Sequence, residues 1–261
     1  DPSFRAKFNK IVFVSHWQMQ MFNLIKGVPY GDSVVIENGI IPGKSHAKAW
    51  KPKDVINIVY HTTPHRGLEI LVPVFQKLSE IHPDIHLHVY SSFDIYGWGE
   101  RNQPYEKLFD IIKKHDKMSY YGSVPNDEIR KALHEKMHIF AYPSIWPETS
   151  CLALIEAVSD NVFVIHPNYG ALPDTGQGAT IMYQWHEDFT THANIFATNL
   201  NILINQTREL LKPQFGDDRK FEKWTNGAKH RIDQRHSINY IKHKEWGGQI
   251  YQKWSDLLLN E

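Results

Sequence analysis

The chemistry that this sequence suggests most directly is phosphate binding, in the stretch IFAYPSIWPETSCLALIEA from Ile139 to Ala157. The pattern predicts an apolar strand, a loop with two prolines, and a helix whose first turn carries Glu148. The first backbone N–H groups of a helix have no intrahelical acceptor and lie at the positive end of the helix dipole, so they bind anions readily. The predicted phosphate-binding residues are Thr149, Ser150, Cys151 and Leu152.

Two acidic residues, Glu148 and Glu156, belong to the same predicted helix. At about 1.5 Å of rise per residue, eight positions would separate them by roughly 12 Å on a continuous helix. That separation is too large for a nucleophile–acid pair of carboxylates. We therefore expect the two side chains, if they bind one ligand, to contact different parts of it.

The elements that must position these residues are short apolar strands that alternate with helices. The predicted strands of this series span residues 55–61, 85–90, 118–121, 137–142 and 162–166. Such alternation is typical of a doubly wound, Rossmann-like α/β fold with a parallel sheet covered on both faces. Ligands of these folds bind beyond the carboxyl ends of the strands. The loops expected at the site are residues 61–67, 91–99, 122–125, 143–148 and 167–178.

Changes in composition along the chain predict its domain organisation. Residues 1–41 contain two short strands and a helix, and the polar, basic stretch 42–54 is a predicted linker. The longer β/α series occupies residues 55–230, and residues 231–261 are predicted to be largely helical. Asn126 is predicted to cap a helix, whereas the polar region after residue 205 shows no clear pattern up to the final helical segment.

The composition excludes several classes of protein. The 261 residues include 29 Lys plus Arg and 29 Asp plus Glu, so no net charge attracts nucleic acid. No apolar run reaches the roughly 18 residues of a transmembrane segment. A single cysteine, Cys151, precludes an internal disulfide and favours a cytoplasmic location. Because the chain begins at Asp1, without a methionine or a signal peptide, we expect a fragment or a trimmed protein.

Four motifs of the sequence occur in a recognisable order. Glu148 and Glu156, with Ala157 after them, form an E-x7-E element, and Arg66-Gly67 lies between a predicted strand and a predicted helix. The other two motifs are YGSV at residues 121–124 and SVVIENGI at residues 33–40. Together they resemble the nucleotide-sugar half of retaining glycosyltransferases with the two-domain GT-B fold, of the group 1 type, which has Lys-Gly or Arg-Gly at the position of Arg66-Gly67.

The resemblance implies a role for each candidate residue. Glu148 would face the transferred sugar as the catalytic residue, and Glu156 would accept hydrogen bonds from the ribose hydroxyls. The other implied donor-binding residues are Arg66, Gly67, His61, Thr62 and Thr63 around the diphosphate and Gly122, Ser123 and Val124 against the base. The final helical segment would cross back toward the first domain, of which residues 1–41 would be a remnant.

Arg66 is the one firm cation that the sequence offers for a diphosphate, because His61 and its neighbours stand where many members of the family have an additional arginine. Arg66 and the helix N-terminus would together stabilise the leaving phosphate, so no metal or other cofactor is expected. The resemblance implies a nucleoside-diphosphate sugar as donor. The acceptor, a glycan, a lipid or a small molecule, stays open.

Alternative interpretations remain for the same residues. A non-catalytic binding module would keep this fold without activity, and a phosphorylase- or epimerase-like enzyme is a third option.

Cys151 lies where a helix N-terminus favours a thiolate, although no His/Asp arrangement supports a covalent role. His86 and His88 imitate a metal site but lack a Cys or carboxylate partner at ligand spacing, so they are predicted to be structural.

Overall fold

The computed structural model describes residues 2–43, 55–212, 220–238 and 249–259. The N-terminal unit is a two-stranded parallel sheet flanked by helices, as the alternation in residues 10–36 predicts. Its elements are α1 (Pro2–Arg5), β1 (Ile11–Phe13), α2 (His16–Lys26) and β2 (Ser33–Val35). Ser15 caps α2 by accepting a hydrogen bond from the backbone N–H of Gln18 at 3.0 Å.

The larger unit is built on a six-stranded sheet in which every neighbouring pair is parallel. Its strands are β3 (Ile56–Tyr60), β4 (Ile85–Val89), β5 (Met118–Tyr120), β6 (Ile139–Ala141), β7 (Phe163–Pro167) and β8 (Ile181–Tyr183). The spatial order is β5-β4-β3-β6-β7-β8. This confirms the predicted Rossmann-like, doubly wound α/β fold.

Eight α-helices accompany this sheet in the described residues. They are α3 (Leu68–Ile81), α4 (Glu106–Lys114), α5 (Asn126–Glu135), α6 (Leu152–Ser159), α7 (Leu172–Gly176), α8 (Phe189–Leu211), α9 (Lys220–His236) and α10 (Gln249–Leu259). The strands and the inner helix faces share one large apolar core. The prediction that Asn126 caps a helix is wrong, because Pro125 holds the cap position and Asn126 is the first helical residue.

Helix α9 is an element that the apolar pattern did not reveal. Its inner face carries Thr225, Lys229 and Asp233 at helical spacing, and all three are buried. Lys229 and Asp233 form an ion pair with an Nζ–Oδ2 distance of 2.6 Å. The helical periodicity of buried residues is therefore present, but paired polar side chains share the inner face with the apolar Phe221 and Ile232.

The strand order fixes where the loops of the sheet converge. The chain passes from β3 outward through β4 to β5, and then returns to place β6 on the other side of β3. The carboxyl ends of β3 and β6 consequently flank a switch in winding direction, where doubly wound sheets leave a crevice for ligands. The loops after β3 and β6, which hold most of the candidate residues, meet at this point.

The predicted domain limits stay predictions. Most of the predicted linker, residues 44–54, lies outside the described residues, and the boundary placed between residues 230 and 231 falls inside α9. None of the helices in the described ranges is both long and apolar enough to cross a membrane.

A group of charges around the buried Glu37 joins the N-terminal unit to α7 and the last two helices. Glu37, just after β2, accepts hydrogen bonds from Arg235 on α9 at 3.3 Å and from Lys253 on α10. Arg235 also donates to the backbone oxygen of Asp174 in α7 at 2.6 Å. The Asp174 carboxylate accepts from the backbone N–H of His16, at the start of α2, at 2.6 Å. These bonds fix the position of α2 relative to the loop after β7.

Glu37 gives this group of charges a measurable pH dependence. Burial alone would raise the pKa of Glu37, but the hydrogen bond from Lys253 and the charges of Lys253 and Arg235 hold the pKa below its ordinary value of 4.5. A carboxylate with a lowered pKa stabilises the fold above the ordinary value, and this stabilisation is lost as the pH falls through the lowered value.

We expect Glu37→Gln to lower the free energy of unfolding at pH 7 by roughly 2 kcal/mol, because Lys253 and Arg235 lose their carboxylate. Urea denaturation between pH 7 and about pH 3.5 measures the effect, and the difference from the wild type should shrink toward acid pH. The control is Glu209→Gln, at an exposed carboxylate, with an expected change below about 0.5 kcal/mol. A difference that does not vary with pH would contradict this account of Glu37.

Candidate active site

A cleft of about 820 Å³ opens at the carboxyl edge of the sheet, over the switch between β3 and β6. A cleft of this size is typical of sites for small-molecule ligands. Thirteen of the fourteen candidate residues line it: His61, Thr62, Thr63, Arg66, Gly122, Ser123, Val124, Glu148, Thr149, Ser150, Cys151, Leu152 and Glu156. The sheet topology therefore brings together residues that are up to 95 positions apart in the sequence, from His61 to Glu156.

Gly67 is the candidate residue that does not line the cleft. Its φ is 120°, a conformation that side chains rarely adopt, and an added Cβ would overlap the backbone oxygen of Pro143. Gly67 thus permits the start of α3 to pack closely against the loop after β6. The structure gives it a role in positioning Arg66, its neighbour, relative to that loop.

The centre of the cleft is an ion pair between Arg66 and Glu148. Nη1 of Arg66 donates to Oε1 of Glu148 at 2.7 Å, and the hydroxyl of Tyr142 donates to the same oxygen. Glu148 is 3% exposed. Burial raises the pKa of Glu148, while the charge of Arg66 and the hydrogen bond from Tyr142 oppose that rise. A buried carboxylate is thus held in place by one cation and one phenol.

Arg66 has hydrogen-bond donors that the protein does not use. Its Nε is buried and has no hydrogen-bond partner in the structure. Arg66 is also the one Lys or Arg side chain among the described residues that line the cleft. An arginine that holds a carboxylate through one nitrogen can still offer others to a phosphate oxygen.

The predicted placement of Glu148, Thr149 and Ser150 in the first turn of a helix is wrong. Helix α6 begins only at Leu152, with Cys151 as the residue before it. The backbone oxygen of Glu148 accepts a hydrogen bond from the N–H of Ala171 at 2.8 Å, so it is not available to a helical turn. The estimate of roughly 12 Å between Glu148 and Glu156 assumed a continuous helix, and it loses its basis.

Gly170 lets the loop after β7 approach the non-helical segment around Glu148. Gly170 has a φ of 58°, and an added Cβ would lie 2.7 Å from the backbone nitrogen of Glu148. The loop after β7 therefore packs directly on the backbone of Glu148, which only a glycine permits. A contact between residues this far apart in the sequence has no local signal.

Cys151 is not the activated thiol that a helix N-terminus favours. Its side chain is buried, with 2% exposure. Burial first, and the nearby Glu148 carboxylate second, raise the pKa of the Cys151 thiol well above its ordinary value. The structure thus agrees with the expectation that this cysteine has no covalent role.

The histidines of the first loop are uncharged. Burial lowers the pKa of His61 to about 3, and its ring packs against Phe140 with centroids 4.4 Å apart. Burial, followed by the charge of Arg66, lowers the pKa of His65 to about 4. The ring of His65 stacks on Phe93 at 5.1 Å and meets Trp146 edge-on at 4.9 Å. His65 thereby joins the loops that follow β3, β4 and β6.

Several residues that line the cleft were not predicted from the sequence. The loop after β4 was expected near the site, but no residue in it was selected, because nothing in the sequence separates its ligand-facing positions from the rest. The additional lining residues are Tyr90, Ser92, Asp94, Ile95, Tyr96, Pro125, Asn126, Ile129, Trp146 and Ala153. Hydrogen bonds of the Ser92 hydroxyl with the Asp94 carboxylate at 2.7 Å and with Asn102 at 2.9 Å hold this loop in place.

No group of three or more His, Cys, Asp or Glu side chains within the described ranges is arranged to hold a metal ion. His86 and His88 are occupied by other contacts. Nε2 of His86 pairs with the Ser119 hydroxyl at 2.9 Å, and Nε2 of His88 pairs with Oδ1 of Asn57 at 2.9 Å. These contacts agree with the structural role predicted for the two histidines.

Comparison with known proteins identifies the family of the chain. Residues 44–179, a little over half of the sequence, match the family model described as "Glycosyl transferases group 1". The chain belongs to this family. The resemblance to group 1 enzymes of the GT-B fold is thereby confirmed, whereas the E-x7-E roles and the retaining mechanism stay predictions.

The relatives of the group 1 chain are distant in sequence. The phosphatidylinositol N-acetylglucosaminyltransferase GPI3 subunit of Saccharomyces cerevisiae is 23% identical over 192 residues, which is 73% of this chain and 40% of the relative. The chain thus spans less than half the length of the curated relatives that it matches.

Solved structures share its fold. A glycosyltransferase from Rickettsia africae superimposes with a TM-score of 0.69 at 20% identity, covering 100% of this chain and 68% of that one. The Anabaena protein HepE, solved in complex with UDP and glucose, superimposes with a TM-score of 0.64 at 15% identity, covering 97% of this chain and 64% of that one.

The ion pair at the centre of the cleft predicts a coupled effect on stability. Arg66→Met leaves the buried carboxylate of Glu148 without a cation, so the free energy of unfolding should fall by about 3 kcal/mol. Adding Glu148→Gln to Arg66→Met should recover most of this loss, because an amide is cheaper to bury than a carboxylate. Urea denaturation of the wild type, Arg66→Met, Glu148→Gln and the double variant measures both effects.

Arg101→Met is the control for Arg66→Met, because Arg101 is exposed and stacks on Trp98 with 4.4 Å to the ring centroid. Its expected cost is below about 1 kcal/mol. Equal losses in Arg66→Met and Arg101→Met, or additive effects at Arg66 and Glu148, would contradict the coupling.

Proposed function

We propose that this chain carries the donor-binding part of a glycosyltransferase that transfers a sugar from a nucleoside-diphosphate sugar with retention of anomeric configuration. The observation that supports it best is the placement of Arg66 beside the N-terminus of α6, in one cleft of a group 1 chain. A guanidinium and free backbone N–H groups at one point are the groups that bind a diphosphate.

The diphosphate would lie between Arg66 and the start of α6. As the bond between the sugar and the phosphate breaks, negative charge grows on the leaving phosphate. Arg66 and the helix dipole stabilise that charge, and both are in place before the reaction. Catalysis in this arrangement needs no metal ion.

Glu148 would hold the transferred sugar. Arg66 and Tyr142 both donate to its Oε1, and the fixed carboxylate presents Oε2 to a sugar hydroxyl. Glu156 would accept hydrogen bonds from the ribose, and the backbone of the loop from Gly122 to Val124 would face the base. In this arrangement the ligand runs from the loop after β5, at the base, to Glu148 in the loop after β6, at the sugar. The loop after β7, expected at the site, contributes none of the described residues that line the cleft.

The reaction would proceed on one face of the sugar. The acceptor oxygen forms its bond to the anomeric carbon on the side from which the phosphate leaves, and the departing phosphate oxygen takes the acceptor proton. No protein nucleophile is assigned, because Oε2 of Glu148 is given to a sugar hydroxyl and burial keeps the Cys151 thiol protonated.

The names of the relatives indicate which substrates to test first. One relative is a phosphatidylinositol N-acetylglucosaminyltransferase subunit, and a structural neighbour was solved with UDP and glucose. UDP-N-acetylglucosamine is therefore the first donor to test, and a lipid of the phosphatidylinositol type is the first acceptor. GDP- and ADP-sugars are the alternatives within the same mechanism.

Calorimetric titration with UDP, GDP and ADP in the presence of EDTA tests donor binding. One nucleotide should bind without metal, and Arg66→Ala should weaken it on the order of tenfold, the effect of losing a hydrogen bond to a charged group. Lys107→Ala and Glu106→Ala, exposed on α4, are the controls and should leave binding unchanged. No binding, or binding unaffected by Arg66→Ala, would favour a non-catalytic module.

The anomeric outcome tests the mechanism. A form of the protein with a complete acceptor side should yield a product of the donor's own configuration, which NMR coupling constants of the anomeric proton reveal. An inverted product would rule out the same-face mechanism. The present chain by itself should bind donor and transfer little sugar.

A further inference from the structure

The first residue of helix α5 donates a hydrogen bond to the carboxylate of Glu156, next to the cleft. Nδ2 of Asn126, the first residue of α5, donates to Oε1 of Glu156 at 2.9 Å. Asn126 and Glu156 both line the cleft, in the part that also contains the loop after β5. A residue that local sequence assigned to helix capping therefore contacts a candidate ligand-binding group on another helix.

Arg130 places a positive charge near the same oxygen of Glu156. It lies one turn after Asn126 on α5, and its Nη1 is 3.8 Å from Oε1 of Glu156. Its Nε donates to Oδ2 of Asp160, at the end of α6, at 2.5 Å. Helix α5 thus contacts both Glu156 and Asp160, and Asn126 and Arg130 lie next to the carboxylate of Glu156.

The charged groups around Glu156 keep it suited to accepting hydrogen bonds. Burial raises the pKa of Glu156, and the hydrogen bond from Asn126 and the charge of Arg130 oppose that rise, while Asp160 adds to it. His134 on α5 also faces Asp160, with Nδ1 3.8 Å from Oδ1. Without Asn126, the carboxylate would lose the largest of the effects that lower its pKa.

The two oxygens of Glu156 consequently differ. Oε1 accepts the hydrogen bond from Asn126, whereas no protein donor reaches Oε2 among the described residues. A carboxylate with one oxygen occupied can rotate little, so its second oxygen keeps one direction. A ribose presents two neighbouring hydroxyl donors, the groups that such an oxygen recognises.

We propose that Asn126 is a positioning residue that orients Glu156 toward the ribose hydroxyls, so that the cleft discriminates a ribonucleotide from its 2′-deoxy form. This inference rests on the proposed function, because it requires a nucleotide in the cleft. Asn126, on a different helix from Glu156, would thus determine whether the cleft prefers ribose over 2′-deoxyribose in the bound nucleotide.

The test compares the dissociation constants of a nucleoside diphosphate and its 2′-deoxy counterpart by calorimetry, for UDP, GDP and ADP. The wild type should bind the preferred ribonucleotide on the order of tenfold more tightly than the deoxy form, the effect of one hydrogen bond to a charged group. In Asn126→Ala this ratio should fall below about threefold, through weaker binding of the ribonucleotide alone.

Two further variants separate positioning from folding. Asn126→Asp keeps the shape of the side chain and an acceptable residue for a helix start, but removes the donor to Glu156, so it should lose the discrimination as Asn126→Ala does. Asn205→Ala is the control, because the exposed Asn205 donates within α8, to the backbone oxygen of Asn201 at 3.0 Å. It should keep the wild-type ratio.

The outcomes separate the two proposals. An unchanged ratio in Asn126→Ala and Asn126→Asp, or equal weakening of both nucleotides, overturns the positioning role while leaving donor binding intact. Absence of binding of every nucleoside diphosphate by the wild type overturns the proposed function and this inference with it. A ratio lost in both Asn126 variants and kept in Asn205→Ala supports the inference.

Discussion

The ion pair of Arg66 with Glu148 is the interaction on which the cleft depends. It joins the loop after β3 to the loop after β6, the two loops that flank the switch in winding direction. Both partners are largely buried, so neither charge is stable without the other. The arginine that a diphosphate requires is therefore already oriented before any ligand arrives, which lowers the cost of binding.

Close backbone contacts make this ion pair possible. Gly67 lets the start of α3 approach the backbone of Pro143, and Gly170 lets the loop after β7 pack on the backbone of Glu148. The loop after β7 in turn leads into α7, where Asp174 binds the first N–H group of α2. The position of the N-terminal unit and that of Glu148 are thus connected through one short stretch of chain.

The sequence predicted the fold and the clustering of the site because both follow from local alternation: strands that run parallel place their carboxyl ends on one edge. It could not predict contacts between distant residues. The partner of Arg66, the role of Tyr142, the start of α6 at Leu152 and the contact of Asn126 with Glu156 all depend on how loops and helices from different β/α units meet. Helix α9 was not predicted because much of its buried face is polar, and its Lys229 and Asp233 pair with each other.

A crystal structure of the chain with the nucleoside diphosphate that it binds most tightly would test the central claim most directly. The account predicts a phosphate oxygen within about 3 Å of an Arg66 nitrogen, next to the backbone N–H groups that open α6, and the ribose against Glu156. A nucleotide bound elsewhere on the protein, or a diphosphate in the cleft without contact to Arg66, would contradict it.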